Sequence, residues 1–517
     1  MSNTLDRIRH SAAHVLAMAA IRLFPDTKIG IGPVTKDGFY YDFEFLHPIT
    51  WEDVKNIESE MNLIIQENLP FSQLFVPREQ AFDILLNRGQ IYKSEILRDL
   101  PDEEVSFFKT GEEFIDLCRG PHVSSTGEIG PVKLTTLSST RWKGDDSRPE
   151  LQRINGTAFS TIDELKGFLE KQEAIRQRDF RRLARALNIT IGNTREVVYT
   201  PEGTLSLNLL LSKVLQPIQQ TEAREITGAP IHRFSEVEEN MNNLFAVKNR
   251  SYKELPIRYY SNQRHELTEP IEIAEKEVHS VGIITYKAFC AREDISSEIK
   301  LVIDTLNAIL GNLGIEYSAQ VSAPDLESPY LTQISDLLHR AIVSQTQIIN
   351  PKLDRIRIDF NVKDNLDREW TLTSCFIGPS KQQYITRMGE FSPATEVSFS
   401  VIVEQLLAYF IENEEGVLPL WLAPVQAVLV PITDAQHDYT HKVAMILKEH
   451  NFRTDVDDRS ETMQAKIRDA ELAKIPTIIV IGEKEERNQS VSLRLRNNNE
   501  IGLVSLDRLP EVLLTAE

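Results

Sequence analysis

The chain turns on two short stretches, His10-Ser-Ala-Ala-His14 and Asp116-Leu-Cys-Arg-Gly-Pro-His122. Each carries two metal-ligating or proton-transferring side chains four residues apart. Residues four apart on a helix share a face, so His10 and His14 point the same way. If Cys118 and His122 meet them, three nitrogens and one sulfur converge on one pocket. Such a set can hold a soft divalent metal or carry out metal-free acid–base hydrolysis. One His-x-x-x-His pair alone is mostly chance, so the surroundings have to supply the specificity.

Outward from the first pair, Ile8, Ala12, Val15, Leu16, Ala19 and Leu23 recur at helical spacing, which predicts a helix over 4–24 stopped by Pro25. Ile29-Gly-Ile-Gly-Pro-Val and Gly38-Phe-Tyr-Tyr-Asp-Phe-Glu-Phe read as paired strands. Helices are expected over 51–68 and 78–98. Gly120-Pro121 marks a turn inside the second pair, and Lys133-Leu-Thr-Thr-Leu reads as a strand.

A length of 517 residues predicts roughly three or four domains. The composition is that of an ordinary globular protein. No apolar run is long enough for a membrane span and no signal-peptide pattern opens the chain, so a cytoplasmic protein with no membrane partner is expected. Three cysteines leave no disulfide framework and fit a reducing compartment. A net charge of −20 excludes broad nonspecific nucleic-acid binding but leaves room for local basic patches.

Residues 9–159 resemble the second N-terminal domain of bacterial threonyl-tRNA synthetase, an editing domain shared with alanyl-tRNA editing proteins. The His-x-x-x-His and Cys-x-x-x-His pairs carry the resemblance. So do Gly38-Phe-Tyr-Tyr-Asp, Cys118-Arg-Gly-Pro-His, Trp142-Lys-Gly-Asp and Gln152-Arg-Ile-Asn-Gly-Thr-Ala, in the expected order. The resemblance implies an editing domain over 1–160, without the small domain that precedes it in the family. It makes His10, His14, Cys118 and His122 the hydrolytic pocket. It also implies that Asp116 binds the substrate α-amino group, that Lys133 positions water or stabilises the oxyanion, and that Tyr41 contacts the substrate or terminal adenosine. Alanyl-type relatives bind zinc at these pairs, whereas the threonyl type is regarded as working without it, so Zn²⁺ at the four residues stays an open alternative.

Residues 161–189 are expected to be a helical linker, one long helix over 162–187 with Arg176, Arg178, Arg181, Arg182 and Arg185 in its second half. Those arginines form either a solvated face or a phosphate-contacting strip. Residues 190–420 resemble a class II aminoacylation core, a large antiparallel sheet, but a degenerate one. Arg224-Glu-Ile-Thr-Gly-Ala-Pro230 looks like the end of motif 1, and Ser251-Tyr-Lys-Glu-Leu-Pro-Ile-Arg258 like the approach to motif 2. The motif 2 arginine that would hold the ATP α-phosphate matches Leu267, leaving only Glu269. The cysteine among the family's zinc ligands has no counterpart, and the other two match Lys287 and Ser400. The motif 3 arginine matches Tyr409. Leucine neutralises no phosphate and a protonated lysine repels Zn²⁺, so binding of ATP is not expected.

Strands and helices alternate over 421–517, which predicts an α/β sheet. The segment resembles the anticodon-binding domain of the same family through Trp421-Leu-Ala-Pro-Val-Gln, Asp457-Asp-Arg, Lys466-Ile-Arg and Gly482-Glu-Lys-Glu485. Glu485 and Arg494 fall where relatives read anticodon bases. The expected fold is therefore α+β and multidomain: a threonyl/alanyl-type editing domain, a degenerate class II core and a C-terminal α/β anticodon-binding domain. The expected function is trans-acting hydrolysis of Ser-tRNA(Thr) by a homodimer that binds tRNA(Thr), alone or docked on an active threonyl-tRNA synthetase. The alternatives are a threonine–tRNA ligase that still aminoacylates and a non-catalytic tRNA-binding subunit.

Overall fold

The structure, a computed structural model, describes residues 4–145, 147–191, 197–229, 231–274, 276–324, 330–338, 345–350, 352–496 and 500–515. It divides into two compact units, Met1–Glu173 and Ala174–Glu517.

In chain order the first unit holds α1 (Thr4–Leu23), β1 (Lys28–Ile29), β2 (Phe39–Glu44), α2 (Trp51–Glu67), β3 (Phe71–Pro77), α3 (Arg78–Asn87), α4 (Ile91–Asp99), β4 (Glu104–Thr110), β5 (Phe114–Leu117), β6 (Val132–Arg141) and β7 (Glu150–Ala158). The helix α5 (Ile162–Gln177) begins in it. Strands β1-β2-β7-β6 form one antiparallel sheet and β3-β4-β5 a second. The apolar stripe of α1, with Val54, Ile57, Met61 and Ile64 of α2, packs on Phe39, Tyr41, Phe43, Leu134 and Ile154 of the first sheet. Helix α2 starts where Asp53 accepts the backbone N–H of Thr50 at 2.8 Å, satisfying a donor the helix leaves open.

The expected 78–98 helix is two helices. Gly89, at φ +67°, turns the chain between them, a conformation glycine adopts without strain. The expected 162–187 helix also breaks. Asp179 accepts from the backbone N–H of Arg181 at 2.9 Å and starts a separate helix, α6 (Phe180–Ala186). An aspartate inside an arginine-rich run is read more truly as an N-cap than as a helical residue.

After α6 the second unit continues with β8 (Thr190–Ile191), β9 (Val198–Tyr199), α7 (Pro201–Gln219), β10 (Arg224–Glu225), α8 (Glu239–Ala246), β11 (Arg250–Ser251), β12 (Ile257–Ile273), β13 (Lys276–Cys290), α9 (Ile295–Leu313), β14 (Ser318–Ala323), α10 (Leu331–Leu338), β15 (Gln345–Ile349), β16 (Ile356–Lys363), β17 (Glu369–Ile385), β18 (Phe391–Ile402) and α11 (Val403–Asn413). The sheet runs β10-β12-β13-β18-β17-β16-β14-β15, and β11 pairs with β17. Its central pairs are antiparallel; among the described residues parallel pairing is confined to β10–β12, β14–β15 and β11–β17. Helices α7, α9 and α11 share one apolar core with this sheet.

Glycine is required at the start of α7. An ideal Cβ on Gly203 would lie 1.9 Å from the carbonyl oxygen of Ile189. Thr200 caps the same turn by accepting the Gly203 N–H at 3.0 Å. Gly203→Ala is expected to destabilise the second unit by about 1–3 kcal/mol, read as a lower urea midpoint at unchanged slope.

The chain then forms β19 (Ala427–Pro431), α12 (His437–Glu449), β20 (Thr454–Val456), α13 (Met463–Leu472), β21 (Thr477–Ile481), α14 (Glu483–Arg487), β22 (Ser490–Leu495), β23 (Glu500–Ser505) and α15 (Leu509–Leu514). The sheet order is β20-β19-β21-β22-β23, parallel in its first three strands. Alternate residues of β19 fill two cores: Ala427 and Leu429 face α12 and α15, Val428 and Val430 face Ala470 of α13. Burial on both faces explains the unbroken apolar run. Among the described residues no helix is long and apolar enough to cross a membrane.

Candidate active site

Helix α1 delivers His10 and His14, and the turn after β5 delivers Cys118 and His122. Cys118 Sγ lies 3.3 Å from His10 Nε2 and 3.4 Å from His122 Nε2. The His122 ring stacks on His10 at 4.3 Å and on Phe71 at 5.1 Å, and Phe108 leans on it at 4.4 Å. Gly120, at φ +70°, lets this turn close: an ideal Cβ there would lie 2.8 Å from the Phe108 ring.

The hydrogen bonds behind the rings fix their protons. His10 Nδ1 faces the Pro121 carbonyl oxygen at 3.3 Å, an acceptor only, so it carries the proton. His122 Nδ1 meets Ser11 Oγ at 3.1 Å. Ser11 already donates its hydrogen to the Arg7 carbonyl oxygen at 2.8 Å, so it accepts from His122. Both rings therefore turn a bare Nε2 toward Cys118. Burial holds the His10 and His122 pKa values below the usual imidazole range and that of His14 well below it; neighbouring imidazoles depress the last two further. Burial pushes the Cys118 thiol up to about 11. At neutral pH the cluster is three uncharged imidazoles and a protonated thiol. Such nitrogens can take a proton from water.

The ligand atoms of His10, His14, Cys118 and His122 all lie within 4.8 Å of one another. Neutral imidazoles and a cysteine are the donors zinc prefers, so the set fits Zn²⁺ provided the thiol gives up its proton.

Beside them lies a buried charge pair. Asp116 is 2 % exposed; its Oδ2 accepts from Tyr41 Oη at 2.6 Å and Lys93 Nζ at 2.9 Å, and its Oδ1 lies 2.7 Å from the same ammonium in an ion pair. His14 Nε2 stands 3.7 Å from the same carboxylate. Burial and the Asp116 charge push the Tyr41 phenol well above its ordinary value, so it stays a donor. The structure thus brings together six of the residues singled out from the sequence: His10, His14, Cys118, His122, Asp116 and Tyr41. Lys133 is not in this network: its ammonium, on β6, pairs with Glu58 at 2.7 Å. The lysine that reaches Asp116 is Lys93 of α4, which the sequence reading passed over. Its only local signal is its place among the inward residues Tyr92, Ser94 and Leu97. A groove of about 480 Å³ opens beside Cys118, lined among others by Gln73, Phe75, Ser106 and Arg119.

In the second unit, Arg178 is spent on Glu415 and the Asn413 carbonyl oxygen, and Arg181 bonds the Glu277 carbonyl oxygen. A cavity of about 780 Å³ is lined by Glu238, Lys287, Arg355, Phe376, Glu396 and Ser400 among others. Lys287, 1 % exposed, is held by Glu238 at 2.7 Å and Glu396 at 3.0 Å. Leu267 is 4 % exposed in the hydrophobic core and lines no part of that cavity; Glu269 is exposed and faces Arg233 at 3.5 Å. Tyr409 packs on Trp370. Further along, Arg494 lines a groove of about 410 Å³ with Met463, Gln464, Arg468 and Ser492. The Glu485 carboxylate turns back to accept the Gly482 N–H at 3.0 Å.

Comparison with known proteins adds the following. The sequence model described as "Anticodon binding domain" matches residues 426–516, and that described as "Threonyl and Alanyl tRNA synthetase second additional domain" matches 105–155. The threonine–tRNA ligase of Oleidesulfovibrio alaskensis is 32 % identical over 98 % of this chain and 87 % of its own length. That of Thermus thermophilus is 33 % identical over 96 % and 86 %. A crystal structure of the RNA binding domain of threonyl-tRNA synthetase from Cryptosporidium parvum covers 65 % of this chain and 98 % of its own, with a TM-score of 0.54 at 22 % identity. Prolyl-tRNA synthetase of Giardia lamblia, in complex with prolyl-adenylate, covers 66 % and 79 % at a TM-score of 0.53 and 14 % identity. These two likenesses show a shared mixed α+β fold.

Proposed function

The chain belongs to the threonine–tRNA ligase family, and on that premise we propose that it hydrolyses the ester of mischarged Ser-tRNA(Thr) in trans. The observation that carries the reading is the neutral imidazole–thiol cluster set against the buried Lys93–Asp116 pair. Water held by a bare Nε2 of His10 or His122 gives that nitrogen a proton as its oxygen bonds the aminoacyl carbonyl. Lys93 offers Asp116 two contacts and keeps a third N–H for the developing oxyanion. Collapse breaks the carbon–oxygen bond to the ribose, and the imidazolium returns its proton to the leaving oxygen. Zn²⁺, where bound by His10, His14, Cys118 and His122, would supply Lewis acidity to the same pocket.

A synthetic pocket gains only about 1–3 kcal/mol from the one methyl that distinguishes threonine from serine, which is why a second, hydrolytic site is useful. The aminoacylation core in this reading is a scaffold. The ammonium of Lys287 stands in the cavity where a metal ligand would need a lone pair, Ser400 offers only a neutral hydroxyl there, and Leu267 is committed to the core. Residues 421–517 dock tRNA(Thr), with Arg494 in the groove and Glu485 at its helix start. Residues 161–189 link the editing domain, 1–160, to the core, 190–420. The protein works in the cytosol as a homodimer, alone or with an active synthetase. The second reading is a ligase that still charges tRNA; the persistence of the 780 Å³ cavity favours it.

Purified protein is expected to release serine from Ser-tRNA(Thr) well above the spontaneous rate and to leave Thr-tRNA(Thr) intact. Threonine-dependent ATP–pyrophosphate exchange is expected to be absent, and its presence would favour the ligase. Deacylation that survives His10→Ala and Cys118→Ala would place the chemistry elsewhere. Gly32→Ala is a subtler probe. An ideal Cβ there would lie 2.2 Å from the Tyr41 ring, displacing the group that bonds Asp116. Misplacement of this size is expected to lower kcat by about 100-fold with the fold retained.

A further inference from the structure

No step of the proposed hydrolysis uses Ser11, which lies on α1 between His10 and His14. It is fully buried, and its hydroxyl has three partners on two segments of chain. It donates to the Arg7 carbonyl oxygen at 2.8 Å. It accepts from the Val123 N–H at 3.1 Å and from His122 Nδ1 at 3.1 Å. One donor and two acceptor sites are all that a hydroxyl has. We infer that Ser11 is a positioning residue: its oxygen sets which way round the His122 ring sits and which nitrogen holds the proton, so that a bare Nε2 meets the attacking water. The inference rests on the hydrolytic reading above.

Three observations support it. First, stacking on Phe71, with 7° between the planes, and on His10 restrains the plane of the His122 imidazole. A half-turn of the ring about its Cβ–Cγ bond leaves that plane unchanged but replaces Nε2 by a carbon. Stacking therefore cannot choose between the two orientations, whereas a hydrogen bond at Nδ1 can. Second, Ser11 is the one hydrogen-bond partner of His122 Nδ1 among the described residues. Its hydrogen goes to Arg7, so it meets the ring as an acceptor. The proton then sits on Nδ1, and Nε2 faces Cys118 Sγ at 3.4 Å with its lone pair free. Third, a buried helical serine often bonds the carbonyl four residues back and does nothing else. That bond alone would leave both lone pairs of Ser11 unmatched, and the turn after β5 fills both. Without the hydroxyl, Val123 N–H and His122 Nδ1–H are two donors that have lost one acceptor. The backbone donor cannot change, but the ring can move its proton to Nε2 and give it to Cys118 Sγ. In that tautomer the inner nitrogen takes no proton from water.

Ser11→Ala in the full chain is expected to lower kcat for Ser-tRNA(Thr) by about 100-fold or more, because a wrong tautomer removes the base. KM is expected to change little, since a fully buried serine touches no substrate. Ser11→Thr, whose hydroxyl also bonds the carbonyl four residues back, is expected to recover most of the rate. The ¹⁵N shifts of His122 in histidine-labelled protein read the ring directly. They are expected to show the proton on Nδ1 in the unaltered protein and in Ser11→Thr, and on Nε2 in Ser11→Ala. A Ser11→Ala protein that melts earlier but keeps its kcat would make Ser11 a purely structural serine. Nitrogen shifts that are the same with and without the hydroxyl, or a proton on Nε2 in the unaltered protein, would overturn the inference. If the unaltered protein hydrolyses no Ser-tRNA(Thr), the proposed function falls, and the shifts still decide whether Ser11 sets the ring.

Discussion

Lys93→Met is expected to destabilise the first unit by about 3–5 kcal/mol and to abolish Ser-tRNA(Thr) hydrolysis. The substitution leaves Asp116, 2 % exposed, with the Tyr41 hydroxyl as its remaining strong donor. A buried carboxylate that has lost its cation either takes up a proton or strains the fold around it. Loss of activity alone would not separate chemistry from unfolding. The double variant Lys93→Met/Asp116→Leu does, because replacing both charges with apolar groups of similar size removes the uncompensated charge. Urea unfolding is expected to show most of the lost stability restored, while the deacylation rate stays at background. Recovery of hydrolysis in the double variant would mean that the pair only holds the fold.

Lys287→Met is expected to have a comparable effect in the second unit, again about 3–5 kcal/mol. Burial alone would raise the Glu238 carboxyl, but the Lys287 ammonium, with Ser398 and Arg355, holds it below the usual range. A folded-state pKa below the unfolded value contributes stability that is present above the unfolded pKa and lost as pH falls through the folded one. Removing Lys287 reverses the sign: burial then raises the Glu238 pKa, and protonation favours the folded state. The variant's deficit against the unaltered protein is therefore expected to be large at neutral pH and to shrink toward pH 5 as Glu238 takes up a proton. Denaturant unfolding at the two pH values reads it. A deficit that does not change with pH would show that Lys287 contributes through packing.

The reach of the sequence follows from how local each signal is. His10 and His14 were legible because one helix carries both and its period puts them on one face. Cys118 and His122 were legible because the turn joining them is short. Lys93 was not: its partner is 23 residues away on another element, β5, and a lysine on an amphipathic helix ordinarily reads as solvent-facing. Lys133 was singled out through the family resemblance, yet Glu58 of α2 claims it. The strand–helix alternation of 421–517 was legible from hydrophobic runs, while the break at Asp179 was hidden because capping depends on backbone direction. Leu267, Lys287, Ser400 and Tyr409 were read against the family's motifs as expected chemical losses, and only the fold shows that Glu238 and Glu396 hold Lys287 at the cavity wall.

The ring protons fixed by Pro121 and Ser11 have a further consequence. A proton captured at the inner nitrogen of His122 has no onward route: the outer nitrogen is already protonated and faces Ser11, which spends its own hydrogen on α1. The outer nitrogen of His10 differs, because its contact with the Pro121 carbonyl oxygen is open to solvent. His122 cannot act as a relay to bulk water through its far side, whereas the far side of His10 is open to it. If His122 is the base in the proposed hydrolysis, the hydrogen taken from the attacking water leaves by the face through which it entered, toward the departing ribose oxygen. Each turnover would therefore run as a closed loop, with the hydrogen on the released 3′ end of the tRNA being the one taken from the water that cut it.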